Sequence, residues 1–385
     1  MSEIKVNSIK GVGASAAAIT VNNTDGTCTA NLTNRTNKNL IINGAFQIAQ
    51  RGTSSTANGF GSVDRFKINF TGTDEAPTQA QVDVGSSDLP FTKGLTKAFK
   101  ITNGNQTSGA GTGDRIAIQH RLEAQDVRNS GWNYTSTSSY VTLSFYVKSS
   151  VAQNFYGRLY TSDGTAQNYP FETGSLSADT WTKVTKTISG NSNLTFNNDS
   201  GRGLDVEFTI FRGTNETGSV SLNQWAAFSS STYTPDMTST WYTTNDATFE
   251  LTGVQLEVGS FSSDFEFKSF GQELQLCKRY FQKMERAGQE VYCAGYFESN
   301  TQGRYALVFP VELRADPTIT YTAASTFTNI HTGSLGTGTS MSTVSVTPQC
   351  AFINCTVNSG GTDGQACLLA SATGQTSSIS ASAEL

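Results

Sequence analysis

Residues 140–148 read YVTLSFYVK, and the alternation within them is the clearest indication of fold class in the chain. Every second residue from Val141 to Val147 is a large apolar one, and tyrosine, threonine and serine stand between them. Successive side chains of a β-strand point to opposite faces, so this pattern predicts a strand with one buried face. Residues 154–160 (NFYGRLY) and 204–210 (LDVEFTI) repeat it. The sequence therefore predicts a mainly β protein.

The last strand-like stretch of this region, residues 248–258 (TFELTGVQLEV), changes phase partway along. Phe249 and Leu251 share one phase, whereas Val254 and the alternate residues after it share the other. A β-bulge at Gly253 restores a single buried face. Many short strands over about 230 residues predict a two-sheet jelly roll or a related sandwich across residues 39–268.

The remaining sequence divides into three further parts. Residues 1–38 contain few large side chains, so this leader cannot close a core alone and must dock, intertwine with other copies or stay loose. Residues 269–284 carry a capping-box spacing at Ser269 and Gln272, followed by apolar residues at helical steps, and predict a short linker helix. Residues 285–385 predict a smaller C-terminal β-domain, split by the loose tract HTGSLGTGTSMST at 331–343.

Composition and charge exclude several classes of function. The 385 residues carry a formal net charge of −5, so nothing draws the chain to a phosphate backbone, and no nucleic-acid partner is expected. No stretch approaches the roughly 18 consecutive apolar residues that a membrane helix needs, and membrane insertion is not expected. The first residues lack the apolar core of a signal peptide, which predicts synthesis in the cytoplasm.

The six cysteines include no C-x-x-C pair, and only two histidines are available beside them, which argues against a zinc site. Free and mostly buried thiols are the expectation. A disulfide among Cys350, Cys355 and Cys367 remains open for a protein that reaches an oxidising environment.

Several motifs occur in a recognisable order. Residues 39–52 read NLIINGAFQIAQRG, and residues 248–283 combine TGVQLEVG with ELQLCKRYFQK. Together with residues 118–123 (IQHRLE) and the LSFYVKS strand, they resemble a family of bacteriophage tail-fibre and minor tail proteins. That family carries a jelly-roll domain similar to carbohydrate-binding modules. The match spans residues 39–284, and the leader is similar to the virion-docking leaders of marine phage fibres. Residues 309–318 and the ending ISASAEL are similar to the distal ends of such fibres.

The resemblance implies a structural virion protein, a phage tail fibre that mediates adsorption to a host surface polysaccharide or lipopolysaccharide. It implies a homotrimer, attached to other phage tail or virion proteins through residues 1–36. The apolar residues of the leader offer a thin seam that several chains can bury jointly. They are Ile4, Val6, Ile9, Val12, Ile19 and Val21. Three alternatives stay open, namely a glycan-cleaving depolymerase, a neck or head fibre with a structural role only, and a free carbohydrate-binding module.

Exposed aromatic rings suit the apolar faces of sugars, and arginine offers directed donors to hydroxyl or carboxylate oxygens. If residues 140–148 and 154–160 pair as neighbouring strands, their outward side chains form an aromatic stripe with one cation. Packing under a loop or against another subunit is the competing interpretation. The glycan-binding candidates are Tyr140, Tyr146, Tyr156, Arg158 and Tyr160, together with Trp132, Trp225 and Trp241 from turn-rich tracts.

No catalytic residue is predicted. Asp205 and Glu207 lie about 7 Å apart on one strand face, within the range of paired glycosidase carboxylates, but a solvated strand face is the preferred interpretation. His120 has the parity of buried neighbours and is expected to be a hydrogen-bonded interior residue. No cofactor is predicted, although related jelly rolls often hold a structural calcium. Asn43 and Glu257 stand at the corresponding strand ends, where plain hydrogen bonding explains them equally well.

Overall fold

The structure is a computed structural model that describes residues 6–12, 17–21, 24, 28–30, 38–332, 334–358 and 360–385. It is mainly β, as the sequence predicts. Within these residues, no helix is both long enough and apolar enough to cross a bilayer.

The leader contributes a small antiparallel sheet in the order β1-β2-β3. Its strands are β1 (Ser8–Ile9), β2 (Ile19–Val21) and β3 (Cys28–Ala30). Val6, Ile9 and Val12 expose most or much of their side chains to solvent, so the proposed seam has apolar surface to bury. Ile4 lies outside the described residues.

The region after the leader contains two six-stranded antiparallel sheets. Its strands are β4 (Ser54–Ser55), β5 (Phe66–Thr71), β6 (Thr78–Asp83), β7 (Lys97–Thr102), β8 (Arg115–Glu123), β9 (Tyr140–Ser149), β10 (Asn154–Thr161), β11 (Gln167–Ser175), β12 (Thr182–Ser189), β13 (Arg202–Arg212), β14 (Ala226–Ala227) and β15 (Thr248–Val258). Two short α-helices, α1 (Ala124–Arg128) and α2 (Thr240–Thr243), and a 3-10 helix at Phe91–Lys93 lie in the connections.

The sheets have the orders β14-β11-β10-β13-β8-β5 and β12-β9-β15-β7-β6-β4. The chain crosses between them repeatedly, for example from β8 to β9 and back to β10, which is the jelly-roll arrangement. One large apolar core lies between the sheets. Val141, Phe145 and the other alternate residues predicted to face inward are buried in it. The predicted jelly-roll sandwich is confirmed.

The phase change in β15 is a bulge at the predicted place. The register between β15 and β9 shifts between Thr252 and Gln255. Gly253 has φ of 61°, and a Cβ there would approach Leu95 Cδ1 to 2.6 Å. Glycine is therefore required at this position both by conformation and by space.

The helix that follows the sandwich is shorter than predicted. Helix α3 (Phe270–Lys278) begins with the predicted capping box, in which the Ser269 and Gln272 side chains satisfy each other's backbone amides. The predicted range of 269–284 is wrong at its C-terminal end. Phe281 already belongs to a strand, because residues 281–287 pair with residues 376–382.

The C-terminal part is a second β-structure with its own core. Its strands are β16 (Phe281–Ala287), β17 (Val291–Phe297), β18 (Gln302–Val308), β19 (Thr318–Tyr321), β20 (Phe327–His331), β21 (Ser334–Val346), β22 (Cys350–Val357), β23 (Ala366–Ser371) and β24 (Thr376–Ser382), with a 3-10 helix at Ala324–Thr326. Six strands close a barrel in the order β17-β18-β22-β21-β20-β23, beside a sheet of β16-β24-β19. The smaller C-terminal β-domain of the predicted fold is confirmed, while its exact boundaries stay a prediction.

The tract at 331–343 was expected to be loose, and this expectation is wrong. Most of it lies in β21, which pairs with β20 on one side and β22 on the other. Its small residues fold as a strand because two neighbours supply backbone hydrogen bonds, not because of their own propensity. The predicted free thiols are found at Cys277, Cys293, Cys350, Cys355 and Cys367.

Candidate functional site

The predicted aromatic stripe does not form. Strand β9, with Tyr140 and Tyr146, belongs to one sheet, whereas β10, with Tyr156 and Tyr160, belongs to the other. The two strands are consecutive in sequence but never pair, because the jelly roll sends the chain across the core between them. Tyr146 is also buried, in a small cluster with Trp181.

Two of the three tryptophan candidates are buried, and the third is partly buried. Trp132 and Trp241 are buried in the sandwich core, where neither offers a ring face to a ligand. Trp225 is partly buried against this core and donates its indole N–H to the Ser189 carbonyl at 2.8 Å. The structure therefore corrects the expectation for Trp132 and Trp241 and gives Trp225 an anchoring contact.

Tyr156, Arg158 and Tyr160 lie on the outer face of the sheet that contains β5, β8, β13 and β10, together with polar residues that the sequence did not single out. Tyr140 is on β9 in the other sheet. The register aligns Lys67, Gln119, Glu207 and Arg158 in one row across these strands. Arg121, Asp205 and Tyr160 form the next row. We call this surface the polar face. The outward residues of these strands alternate with buried apolar residues along the sequence. This alternation was the signal from which the residues of the polar face could have been predicted.

Glu207 occupies the centre of the polar face and is fully buried. It accepts hydrogen bonds from Arg158 at 3.0 Å, Arg212 at 2.7 Å and Gln119 at 2.6 Å. Burial opposes its ionisation, but the two guanidinium groups outweigh burial and hold the pKa of Glu207 well below its usual value. The expectation of a solvated strand face is wrong here, because the arginines and a covering loop exclude water.

The covering loop reaches the polar face from residues 213–236. Tyr233 lies over Arg158 at 4.3 Å and over Arg212 at 4.2 Å, measured from guanidinium carbon to ring centroid. Phe228 packs edge-to-face on Tyr160 at 4.9 Å. Arg158 is therefore enclosed by rings rather than presented to solvent, and its role in this structure is to neutralise Glu207.

Asp205 is equally buried and is also held by two arginines. Arg202 donates hydrogen bonds to both carboxylate oxygens of Asp205, and Arg121 donates to one of them at 3.4 Å. A glycosidase acid needs a raised pKa and an open approach to substrate. Both carboxylates of this pair are fully buried and paired with arginines, so neither has an open approach to substrate.

Lys67 is the cation of the polar face that has no counterion. Within the described part of the chain its side chain makes no ion pair and no hydrogen bond, and the ammonium group lies 5.8 Å from the centroid of the Phe60 ring. Burial and the nearby Arg121 charge lower the pKa of Lys67 to about 8. A half-buried ammonium group beside other cations is an electrostatically unsatisfied position.

His120 is interior, as predicted. It is buried and accepts a hydrogen bond from the Ile42 amide at Nε2, at 3.3 Å. Burial first, and then the neighbouring Arg65 charge, lower its pKa well below the usual value. It is therefore neutral, and the core geometry explains its presence.

The two calcium candidates are engaged by protein groups. Asn43 donates to the carbonyls of Ile48 and Asp64, and Glu257 accepts from the Ser263 backbone amide and side chain. Among the described residues, no group of three or more histidine, cysteine, aspartate or glutamate side chains is placed to hold a metal. The hydrogen-bonded strand end accounts for both residues.

Known proteins give only distant comparisons. No protein-family model matches the chain, and no curated protein sequence matches it. Among solved structures, the enzymatically active domain of tailspike protein 4 from bacteriophage CBA120 has 10% identity and a TM-score of 0.30. The match covers 57% of this chain and 21% of that one.

Two further matches cover nearly all of a smaller protein. The N-terminal cellulose-binding domain of Cellulomonas fimi β-1,4-glucanase C has 10% identity and a TM-score of 0.27, over 56% of this chain and 99% of that one. A putative sugar binding protein from Bacteroides thetaiotaomicron has 13% identity and a TM-score of 0.29, over 58% and 100%. Because these TM-scores are low, the jelly-roll assignment rests on the order of the strands in the two sheets and not on the comparisons.

Proposed function

We propose that this protein is a tail-fibre protein of a phage virion, which binds a host surface glycan without cleaving it. The family resemblance of residues 39–284 supports the virion role. The observation that carries the binding role is the polar face, where side chains from four adjacent strands meet and remain partly exposed. Lys67, Arg121, Tyr156, Tyr160 and Arg202 provide donors and ring surfaces of the kind that hold sugars.

The proposal favours binding over hydrolysis because of the two carboxylates. Asp205 and Glu207 are each locked between two arginines, and each serves to hold cations in place rather than to move a proton. Incubation with host polysaccharide is therefore expected to give no new reducing ends. Specific cleavage would instead support the depolymerase alternative.

Adsorption tests the proposed function directly. Soluble protein added to host cells is expected to reduce phage adsorption, and periodate oxidation of the cell-surface glycan is expected to abolish binding of the protein. A variant lacking residues 1–36 should still bind cells, because the described residues of the sandwich core run from Ile41 to Leu256, but it should no longer enter particles. Adsorption that is indifferent to saturating protein would reject the proposal, and particles that retain the truncated chain would reject the docking role.

We further propose a parallel homotrimer, in which a second copy covers an exposed apolar surface next to the leader. Phe267 and Phe270 line one cavity, and Phe261 lies six residues before Phe267 in the chain. We call these three residues the phenylalanine surface, and each exposes more than half of its side chain. The leader joins the sandwich next to the phenylalanine surface. Lys38 donates hydrogen bonds there to the Ser263 hydroxyl and to the Asp264 carbonyl, each at 2.6 Å. Copies joined through their leaders therefore bring these surfaces together.

Light scattering at micromolar concentration is expected to give three times the chain mass of 41.1 kDa. Phe267→Ser with Phe270→Ser should lower this mass while leaving tryptophan fluorescence unchanged, because both rings lie outside the core. Phe352→Ser, which removes an exposed ring on β22 in the C-terminal barrel, serves as the control. A mass of one chain would refute association, and twice that mass would refute the three-fold symmetry.

A further inference from the structure

Three cations of the polar face converge around one buried carboxylate. The register places Lys67 opposite Gln119 and therefore diagonal to Arg121 on β8, and the charges that act on its ammonium group are Arg121, Arg202, Asp205 and Glu384. Asp205 already pairs with both arginines, so its charge is shared between them. The next acidic neighbour, Glu384, pairs with Arg51 and Arg65 instead. We call Lys67, Arg121 and Arg202 the cationic cluster.

Such a cluster is unfavourable by itself. Ionised groups that lose water upon folding need compensation from opposite charge or from hydrogen bonds, and like charges in proximity repel each other. The whole chain has a formal charge of −5, so this local positive excess runs against the overall balance. A bound anion would neutralise the excess, and the partial exposure of Arg121 (21%) and Arg202 (32%) leaves a route for it.

The surroundings of the cluster favour a saccharide over a bare ion. Tyr160 lies beneath Arg202, with 4.7 Å between guanidinium carbon and ring centroid, and its ring is partly exposed. Tyr156, which is partly exposed, extends the same face along the sheet. Hydroxyl groups and ring C–H faces thus find partners next to the anion position.

We infer that the polar face binds an acidic saccharide, whose carboxylate or sulfate group lies on the cationic cluster while a neighbouring sugar ring contacts Tyr160. The inference rests on the proposed function, since it names the class of glycan that the same surface takes. Recognition is by charge-assisted hydrogen bonds from Lys67 and the two arginines, which are the strong class of polar contact.

Affinity electrophoresis with matched polymers tests the inference. The full-length protein is run through native gels that contain dextran sulfate or dextran, and polygalacturonate or its methyl ester. A protein of net negative charge is repelled by a polyanion unless it has a local site. We expect retardation by dextran sulfate, by polygalacturonate or by both, and none by the uncharged member of each pair.

Lys67→Gln is the decisive variant, because Lys67 supports no ion pair in the fold and its loss leaves no buried carboxylate unpaired. It is expected to weaken retardation about tenfold, the loss of one charge-assisted contact. Lys183→Gln makes the same charge change on β12 of the opposite sheet, and should leave retardation unchanged. Tyr160→Leu should weaken retardation by the polysaccharides and leave binding of inorganic sulfate unaffected.

The outcomes separate the inference from the proposed function. Equal retardation by charged and uncharged polymers would overturn the acidic class and leave glycan binding standing. Equal retardation of the Lys67→Gln and Lys183→Gln variants would overturn the cluster as the site. Retardation by single-stranded DNA as strong as that by dextran sulfate would show a general anion site. If dextran sulfate retards the protein but the protein does not reduce phage adsorption, the proposed function alone would be rejected.

Discussion

Glu207→Gln is expected to lower the free energy of unfolding by about 3–5 kcal/mol, the range for breaking a buried ion pair by removing one partner. The substitution keeps the shape of the side chain but removes the charge that neutralises Arg158 and Arg212. Both guanidinium groups are nearly inaccessible to solvent, with exposures of 4% and 2%. They cannot turn to water. Arg212 keeps its second ion pair, with Glu216, but Arg158 remains buried without the carboxylate that neutralises it.

Urea unfolding followed by tryptophan fluorescence measures this effect, because all four tryptophans lie in the sandwich. Asp83→Asn is the matched control. It breaks an exposed pair with Lys97, in which 80% of the Asp83 side chain is accessible, and should cost less than about 1 kcal/mol. A loss for Glu207→Gln as small as that of the control would show that the buried network does not stabilise the sandwich.

Acid should remove the same contribution. The folded pKa of Glu207 lies below its ordinary value of 4.5, so the folded state binds a proton less readily than the unfolded chain. The stability from this group is complete above about pH 4.5 and declines as the pH falls below it. The difference in stability between wild type and Glu207→Gln should therefore shrink in acid, and a difference that grows in acid would contradict the assigned charge state.

Alternation in the sequence predicted which residues face the core, and it did so because burial of one strand face is a local property. It did not predict which strands pair. The outward residues of β9 and β10 were placed together, but the crossing between sheets separates Tyr146 from Tyr156. Pairing is decided by contacts distant in sequence, such as Lys67 with Gln119, which no local period reveals.

The charged residues of the polar face show a second limit. Asp205 and Glu207 alternate with apolar residues in the manner of a solvated face, yet both are buried. Their partners Arg121 and Arg158 come from different strands, and Tyr233 comes from a loop. The alternation along the strands identified which residues share the face. The ion pairs and the loop that bury Asp205 and Glu207 depend on tertiary structure.

The junction between the sandwich and the C-terminal part depends on a second buried pair. Arg65, on the sandwich, pairs with Glu384, and its guanidinium carbon lies 3.4 Å from the centroid of the Tyr280 ring. Arg65 is 1% exposed and Glu384 is 7% exposed. Arg51 contacts the same carboxylate at 3.1 Å. Arg51 also lies 3.7 Å from Asp64, whereas among the described residues Glu384 is the carboxylate that pairs with Arg65.

Glu384→Gln is expected to destabilise this junction by about 3–5 kcal/mol, because the Arg65 charge stays buried while its anion is lost. All four tryptophans lie in the sandwich, so tryptophan fluorescence follows the sandwich, whereas far-ultraviolet circular dichroism follows the strands of both parts. The wild type should give coincident transitions, because docking couples the two cores. The variant should separate them, with an additional circular-dichroism transition at lower urea that tryptophan fluorescence does not show. Glu298→Gln is the control within the C-terminal part, where it breaks a half-exposed pair with Arg304 and should leave the transitions together. Coincident transitions for Glu384→Gln at an unchanged midpoint would show that apolar contacts, and not this buried pair, hold the two parts together.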